Sequence, residues 1–590
     1  MATPSLNSQV KIMTSPSQPS LVSPPPPKTS KGSVFWLSFT AVVVCNFLSA
    51  LDVTAVSTAL PTITDDLKGG DDFVWVGAAY GLAAASILPF SGRAADILGR
   101  RPVMMVCVGF FFVGSALAGS AQSMNMLIAA RTIQGVGGGG ITNLTSIITS
   151  DLVPLAERGI YQGFLVLTWA FAAAIGPVIG GSLAEKASWR WLFYLNLPLA
   201  GTAFVVVAVF LRVRTPPGSL REKLARIDWR GNLIIIIGTT LALVGLTWGG
   251  IQFPWNSAHV LAPLIIGGIF IAAFFIYEFF VPKEPTLPFD IMTNRSSLSG
   301  YISTFFHGIV SISIIYYLPV YFQACQNASP IRSSIDIFGV ALVCSPFSLI
   351  GGVVVKAMNK YRPVNYAGWA LTMIGVGLLS TLKFDSGTAA WVGFQVISAS
   401  GFGIIWACTI FPILAPLSVT RAAAALAFYN FCRTFAQTWG VAISASILQN
   451  ELKTRLPAEF VARFPAGIEI AYAAIPVIRT LDEPLRTEVR IAFAESMAVV
   501  WKAMIGFSAA GFLTLFLLRE VPMQKHTDET YGLQDGVRPS GSVEEEGGVS
   551  KVNATSVELA AIPPAMDVHP MHHSMQSSSH HNMPASSHHA

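Results

Sequence analysis

Long apolar stretches alternate with short polar loops along most of this 590-residue chain. About fourteen of them are long enough to cross the roughly 30 Å hydrocarbon core of a bilayer. Because backbone polar groups cannot face lipid unpaired, each stretch is predicted to be a transmembrane α-helix, and the chain an all-α polytopic membrane protein. The stretches lie near residues 34–60, 73–91, 103–120, 126–149, 160–184, 191–211, 232–250, 259–281, 300–323, 337–356, 364–382, 390–414, 422–448 and 499–518.

The positively charged residues of the loops follow a regular order along the chain. Loops after even-numbered stretches carry arginines and lysines, whereas short loops after odd-numbered stretches carry few. Because cytoplasmic loops are enriched in these residues, both termini are predicted to be cytosolic. The segment 449–498 also carries cations, but long loops translocate largely regardless of their charge.

The composition excludes several classes of protein. Charged residues make up 12% of the chain and hydrophobic residues 52%, against about 25% charged residues in soluble domains. A soluble enzyme is therefore excluded, and cations spread over short loops do not form a nucleic-acid-binding surface. The chain contains no Gly-Lys dipeptide and hence no P-loop for ATP. We expect no cofactor, and transport that is driven by a gradient or runs downhill.

A basic linker of about ten residues separates the second and third apolar stretches. So short a linker predicts two antiparallel helices, with its cations on the cytosolic face. Its aspartate lies among three arginines and can form a charge relay between helix ends. The alternative is a basic loop that only sets topology. The candidates for a gating loop are Gly92, Arg93, Asp96, Gly99, Arg100 and Arg101.

Two opposite charges lie inside apolar stretches of the first half. At 1.5 Å per helical residue, Asp52 is about 12 Å below the outer end of the first stretch and Arg131 about 8 Å deep in the fourth. An ionisable residue inside a membrane span is a functional candidate by default. The similar depths indicate that Asp52 and Arg131 can pair, directly or through water. The alternative is a capping aspartate and a snorkelling arginine.

Several segments resemble signatures of the major facilitator superfamily, in particular of its fourteen-span drug:proton antiporter branch. They are Leu51–Pro61, Gly92–Arg101, Arg131–Gly138, Gly176–Gly181 and Trp189–Pro198. The resemblance implies two six-helix bundles around a central cavity, a 6+2+6 order of helices and inverted three-helix repeats. It also implies a role for Arg131 in proton coupling.

The fifth stretch carries the segment that bears on direction of transport. Gly176, Pro177, Gly180 and Gly181 resemble the antiporter signature, which implies export rather than uptake. Ala172 departs from the pattern, since the family usually has glycine there. Small residues on one face also allow close helix packing.

The chain is predicted to divide into five regions. They are a disordered cytosolic tail (1–33), a six-helix bundle (34–211), a linker with two inserted helices (212–299), a second six-helix bundle with outer loop 449–498 (300–519), and a disordered cytosolic tail rich in histidine and methionine (520–590).

The second half holds further candidates for a central cavity. Arg433 lies about 18 Å into its stretch, and Asn430 and Gln437 share its helical face; plain helix–helix bonding is the alternative. His307 titrates near neutral pH and can carry a proton, although a lone membrane histidine is more often a packing residue. The other cavity candidates are Gln134, Trp169, Tyr316, Tyr317, Gln395 and Trp406. Such a largely apolar and aromatic cavity suits bulky amphipathic molecules.

Two further candidate sites lie outside the apolar stretches. Asn327 begins an Asn-Ala-Ser sequence, an acceptor for N-glycosylation. His572, His573 and Met575 are weak candidate ligands for copper or zinc. A low-complexity tail without a specific ligand is the favoured interpretation of that region.

These features together predict a proton-coupled exporter of drugs, toxins or secondary metabolites that resembles fungal multidrug transporters. One alternative is an importer of siderophores or other organic solutes with the same fold. Another, of a different class, is a non-transporting membrane sensor with a metal-binding tail. We expect a monomer whose partners are a small-molecule substrate, protons and the lipid bilayer, with no nucleic acid. The plasma membrane is the expected location and the vacuolar membrane the alternative.

Overall fold

A computed structural model describes residues 31–68, 73–250, 253–464 and 470–524. Within these ranges the chain forms fourteen helices of 18 residues or more, and the predicted all-α architecture is confirmed. They are α1 (Ser33–Asp66), α2 (Phe73–Leu98), α3 (Arg100–Gly119), α4 (Met124–Leu152), α5 (Leu155–Lys186), α6 (Arg190–Phe210), α7 (Trp229–Trp248), α8 (Ala258–Phe280), α9 (Arg295–Ala324), α10 (Phe338–Met358), α11 (Arg362–Leu379), α12 (Thr388–Cys408), α13 (Ala422–Arg455) and α14 (Leu485–Thr514).

Ten helices of the described ranges are long and apolar enough to cross a membrane, so the chain is an integral membrane protein. The count of fourteen spans stays a prediction. Shorter helices lie between the long ones at Leu220–Ala225, Asp290–Thr293, Pro330–Asp336, Ile410–Leu414, Ala458–Val461 and Ile470–Ile478. The candidate metal ligands His572, His573 and Met575 lie outside the described residues.

The linker between α2 and α3 is a single residue, so the expectation of a ten-residue loop is wrong. Ala94 and Ala95 are buried and favour helix, and α2 therefore continues through Leu98. Gly99 ends it with φ at 103°, a left-handed conformation that favours glycine, and α3 begins at Arg100. The six gating candidates thus lie on two helix ends and their junction.

The glycine run of α4 allows close packing in the first bundle, α1–α6. α4 packs against α2 and α3, and α1 packs against α5 and α6. A Cβ added at Gly137 would lie 2.4 Å from Phe111 N, and one at Gly139 would lie 2.5 Å from Ala84 O. These distances leave no room for a side chain, so the glycines permit backbone-to-backbone contact between helices.

Large buried aromatic side chains fill the second bundle, α9–α14. α12 packs against α10 and α11, while α9 packs against α13 and α14. Trp369 and Trp501 are almost completely buried. The indole N–H of Trp369 donates to Ser303 Oγ at 2.9 Å, which offsets the cost of removing that polar group from water.

The inserted pair α7–α8 lies against both bundles. The two helices approach so closely that a Cβ added at Gly267 would lie 2.4 Å from Ala242 N. α7 also contacts α2 and α13, and Leu243 packs in one apolar cluster with Leu82 of α2 and Ala442 of α13.

The two bundles touch closely at the end that carries Gly99, here called the Gly99 end. A Cβ added at Gly92 of α2 would lie 2.4 Å from Ala427 Cβ of α13. A Cβ added at Gly352 of α10 would lie 2.3 Å from the carbonyl carbon of Gly159 in α5. Glycine at these positions therefore lets the bundles close against each other at the Gly99 end.

Candidate functional site

Asp52 of α1 and Arg131 of α4 form a direct ion pair inside the first bundle. Arg131 Nη1 lies 2.6 Å from Asp52 Oδ2, and each residue is 2% exposed. The guanidinium stacks on the ring of Tyr80 at 4.5 Å, and its Nε donates to the Val76 carbonyl oxygen at 3.1 Å. The structure thus brings together the two charges that the sequence places at similar depth.

Three donors converge on the Asp52 carboxylate. Besides Arg131, Gln134 Nε2 donates to Oδ1 at 2.8 Å and Asn196 Nδ2 donates to the same oxygen at 2.7 Å. Gln134 also accepts from Arg131 Nη1 at 2.6 Å and donates to Ser115 Oγ at 2.8 Å. Asp52 is therefore held by side chains from α4 and α6 in a network that is buried throughout.

This arrangement can couple a proton to helix movement. Removing one partner of a buried ion pair leaves an uncompensated charge, which typically costs about 3–5 kcal/mol. A proton bound to Asp52 would cancel its attraction for Arg131 and turn one acceptor oxygen into a donor. Because the donors come from α4 and α6, protonation would loosen the contacts of α1 with both helices.

The segment Gly176–Gly181 of α5 lies against α1 beside this network. A Cβ added at Gly176 would lie 2.2 Å from Thr54 Oγ1, two residues after Asp52. Thr54 Oγ1 also donates to the Ala172 carbonyl oxygen at 3.2 Å. Gly180 is buried, whereas Gly181 faces open space and the side chain of Pro177 lies outside the described atoms. Glycine at position 176 is thus required by the close packing of α5 on α1.

Arg100 is the buried centre of the charges at the α2–α3 junction. Its Nη1 lies 2.8 Å from Asp96 Oδ1, and its Nε donates to Asp151 Oδ2 at the end of α4, also at 2.8 Å. Arg101 donates to the Ala208 carbonyl oxygen of α6. The predicted contact of Asp96 with Arg100 is present, and it continues to a carboxylate on another helix.

Arg93 reaches out of the first bundle to the segment between α8 and α9. Its Nη2 lies 2.6 Å from Glu284 Oε2, and Arg226 Nε donates to both oxygens of the same carboxylate at 3.0 and 3.1 Å. The hydrogen bond from Arg226 is the main cause that lowers the pKa of Glu284 below its usual value, and the charges of Arg226 and Arg93 act in the same direction. Glu284 therefore stays ionised at neutral pH.

The same segment also contacts the start of α13. Arg421 Nε lies 2.8 Å from Asp290 Oδ2. Residues 284–290 thus hold ion pairs with α2 on one side and with the residue before α13 on the other. These pairs lie at the Gly99 end, where the two bundles are closed.

Arg433 of α13 is buried in the second bundle between aromatic rings. Its Cζ lies 4.2 Å from the ring centre of Trp406 and 4.6 Å from that of Tyr429. The ring of His307 on α9 packs edge-on against Trp406 at 5.7 Å. Three of the predicted cavity residues, from α9, α12 and α13, are therefore neighbours.

The other cavity candidates divide into exposed and packed residues. Trp169 and Tyr316 are 42% and 52% exposed and leave ring surface open, and Gln437 is partly exposed. Tyr317 and Gln395 are packed inside the second bundle in this conformer, where they are 1% and 0% exposed, and their place in a cavity stays a prediction. Their polar atoms bond backbone instead: Tyr317 donates to the Val441 carbonyl oxygen at 3.1 Å, and Gln395 to that of Asp336 at 3.0 Å.

Two candidates have a different setting from the rest. Asn430 Nδ2 donates to Asn143 Oδ1 of α4 at 3.0 Å, so this face of α13 meets the first bundle. Asn327 has φ at 57°, a left-handed conformation that asparagine tolerates, just after α9.

Comparison with known families decides what kind of protein this is. The family model described as Major Facilitator Superfamily matches residues 42–441, more than half of the chain. This chain belongs to the major facilitator superfamily. Membership makes it a membrane transporter for small molecules.

Named relatives in the superfamily match this transporter over nearly its whole length. Efflux pump FUS6 of Gibberella fujikuroi is 37% identical over 540 residues, which is 90% of this chain and 97% of that pump. MFS-type efflux pump LUC4 of a Fusarium species is 37% identical over 549 residues, 92% of this chain and 97% of that protein. MFS-type efflux pump MMF1 of Pseudozyma antarctica is 34% identical over 544 residues, which is 91% of this chain and 97% of that pump. The predicted resemblance to fungal transporters is confirmed.

Solved structures of the superfamily share the fold at low sequence identity. The human organic anion transporter MFSD10 superposes with a TM-score of 0.54 at 14% identity, over 82% of this chain and 99% of that one. The proton:xylose symporter XylE superposes with a TM-score of 0.54 at 12% identity, over 84% of this chain and 98% of that one. At this identity the likeness concerns the fold alone.

Sequence reasoning missed three residues of these sites. Asn196 carries an amide inside an apolar stretch, and an amide at such a position needs a hydrogen-bond partner. That need could have pointed to its contact with Asp52. Asp151 is a carboxylate at the end of α4, where a partner on another helix is expected. Glu284 lies in a polar linker, and its contacts with α2 had no signal in the sequence.

Proposed function

We propose that this transporter exports hydrophobic or amphipathic small molecules in exchange for protons. The observation that carries the proposal is the buried Asp52–Arg131 pair, since a carboxylate that is released from its arginine on protonation can link a proton to helix movement. The signature-like segment Gly176–Gly181 packs against α1 beside this pair and supports the same conclusion.

The direction of transport is export. The matched relatives are named efflux pumps, and the antiporter-like segment points the same way. A drug, toxin or secondary metabolite is the proposed substrate, because Trp169 and Tyr316 offer exposed aromatic surface for an amphipathic molecule.

Alternating access is the proposed movement. The first bundle (34–211) and the second (300–519) would rock against each other, with the inserted region 212–299 between them. The close packing of Gly92 on Ala427 and the ion pairs of Glu284 support a gate at the Gly99 end. We place this gate and both termini in the cytosol, and the transporter in the plasma membrane as a monomer.

Transport across vesicle membranes under an imposed pH gradient tests the proposal. The purified protein is reconstituted, and proton-driven substrate transport is measured for a panel of lipophilic cations, toxins and siderophores. Asp52→Asn should abolish gradient-driven transport while the same amount of protein is recovered in the vesicles. Asp66→Asn is the matched control, because Asp66 lies on the same helix, is far more exposed and pairs with Arg190 outside the buried network. Full proton-dependent export by Asp52→Asn would refute the coupling role.

A further inference from the structure

Arg433 differs from the other buried arginines of the described ranges. Four arginines there are less than 9% exposed: Arg100, Arg131, Arg158 and Arg433. Arg100 and Arg131 bond carboxylates, and Arg158 donates to the carbonyl oxygens of residues 150 and 153. Arg433 has no oxygen acceptor among the described residues, and its Nε and Nη2 are buried without a hydrogen-bond partner.

The surroundings of Arg433 compensate only part of the free-energy cost of burying its charge. Its guanidinium stacks on Trp406 and Tyr429, and cation–π contacts of this kind are weaker than a charge-assisted hydrogen bond. A buried charge without a counter-ion is strongly unfavourable. The site is therefore short of one negative charge.

The two unpartnered nitrogens form one edge of the guanidinium. Nε–H and the Nη2–H beside it are parallel donors, the geometry that binds both oxygens of a carboxylate. An aromatic wall of Trp406 and Tyr429 lies against the same group. This combination suits a molecule with a carboxylate next to a flat or apolar body.

Arg433 lies inside the second bundle, one helical turn from a residue of α13 that contacts the first bundle. Asn430, one turn earlier, bonds Asn143 of the first bundle, and Gln437, one turn later, is partly exposed. Residues at this spacing share one face of a helix. We expect movement of the bundles against each other to change how accessible this face of α13 is.

We infer that Arg433 binds the carboxylate of the exported molecule, so that amphipathic organic acids are a substrate class of this transporter. The inference rests on the proposed export function and specifies its ligand. The acid group would bond Nε and Nη2, and the apolar body would pack on Trp406 and Tyr429. The charge that the fold leaves uncompensated would be supplied by the substrate.

Binding of a matched acid and alcohol tests this inference. Pyrenebutyrate and pyrenebutanol share the same ring and chain and differ in the charged group, and their binding to the purified full-length protein is followed by fluorescence. Since a hydrogen bond to a charged group is the stronger kind, wild type should bind the acid about tenfold more tightly than the alcohol. Arg433→Gln should remove this preference. Arg433→Lys should keep only part of it, because the lysine ammonium lacks the two parallel N–H donors of the guanidinium.

A surface arginine of the same helix provides the matched control. Arg455 is 36% exposed and pairs with Glu451 and Glu495, so Arg455→Gln should keep the wild-type preference for the acid. Equal binding of acid and alcohol by wild type, or an undiminished preference in Arg433→Gln, would overturn the inference. The same binding assay is run with chloride as the buffer anion and again with the bulkier methanesulfonate. If wild type loses its preference for the acid in chloride, the site binds an inorganic anion, and this result would overturn the inference as well.

The proposed function is tested separately on the same preparations. Proton-driven efflux of tetraphenylphosphonium requires no carboxylate site, because this probe is a cation. If wild type exports that probe but shows no preference for the acid, the carboxylate site is refuted and proton-coupled export is still supported.

Discussion

Gly92→Ala should open the Gly99 end of the transporter. The added Cβ would lie 2.4 Å from Ala427 Cβ, across the contact between α2 and α13. Carbon atoms are at optimal separation at about 3.5–4.0 Å, so the helices must move apart by roughly 1 Å or more. The next atom, Asn143 Nδ2 at 3.4 Å, is in ordinary contact. The clash is thus with one methyl group on the opposite bundle.

The size of the effect follows from the nature of the clash. Overpacking by one methyl group in a well-packed contact costs about 1–3 kcal/mol. The strain exists only in the conformer that is closed at the Gly99 end, so it shifts the equilibrium toward the conformer open there. A coupling of this size corresponds to about 5–150-fold in population. Ala427→Gly removes the opposing methyl group and should restore the wild-type equilibrium when combined with Gly92→Ala.

Distances between spin labels measure this equilibrium. Cysteines that replace Arg212 after α6 and Lys360 after α10 place labels on exposed positions of the two bundles at the Gly99 end. The six native cysteines are buried or partly buried and interfere little. Gly92→Ala should lengthen the label separation, whereas Gly109→Ala, whose Cβ meets nothing within 4 Å, should not. A wild-type distance distribution in Gly92→Ala would refute the reasoning.

Four further expectations concern the same end and the tail. Gly99→Ala should lower the unfolding temperature in detergent, with a cost of roughly 1–3 kcal/mol from the left-handed backbone; an unchanged temperature would contradict it. Asp151→Asn should destabilise by about 1.5–3 kcal/mol, since Arg100 loses one charge-assisted hydrogen bond and keeps its pair with Asp96, and a denaturation midpoint equal to wild type would count against this. Because its arginine partners lower the pKa of Glu284, the stabilisation that the ionised carboxylate contributes is fully present above the pKa of the unfolded state. This stabilisation is lost only as pH falls through the lowered pKa of the folded state. Glu284→Gln should therefore change the label separation equally at about pH 6 and about pH 8, and an effect at one pH only would exclude this explanation. Truncation after residue 525 should leave export unchanged, and a loss that expression or trafficking does not explain would assign the tail a role in transport.

The order of apolar stretches determined the helical class and the approximate helix positions. Hydrophobic segments of bilayer length have one stable solution, a helix with its backbone bonds satisfied internally. The signature-like segments likewise indicated the family, which the match over residues 42–441 confirms. The depths of Asp52 and Arg131 could be read from residue counts, because a helix has a fixed rise.

Only the tertiary structure decided the partners of the remaining buried charges and linker carboxylates. Asp151 and Glu284 meet Arg100 and Arg93 through packing between elements far apart in the chain, and helix periodicity carries no information about such contacts. The α2–α3 junction shows the same limit, since a polar segment was predicted to be a loop while its buried alanines kept it helical. Arg433 was identifiable from sequence as a buried polar residue. That it lacks a counter-ion, while Arg131 has one, depends on which helices the fold places around each arginine.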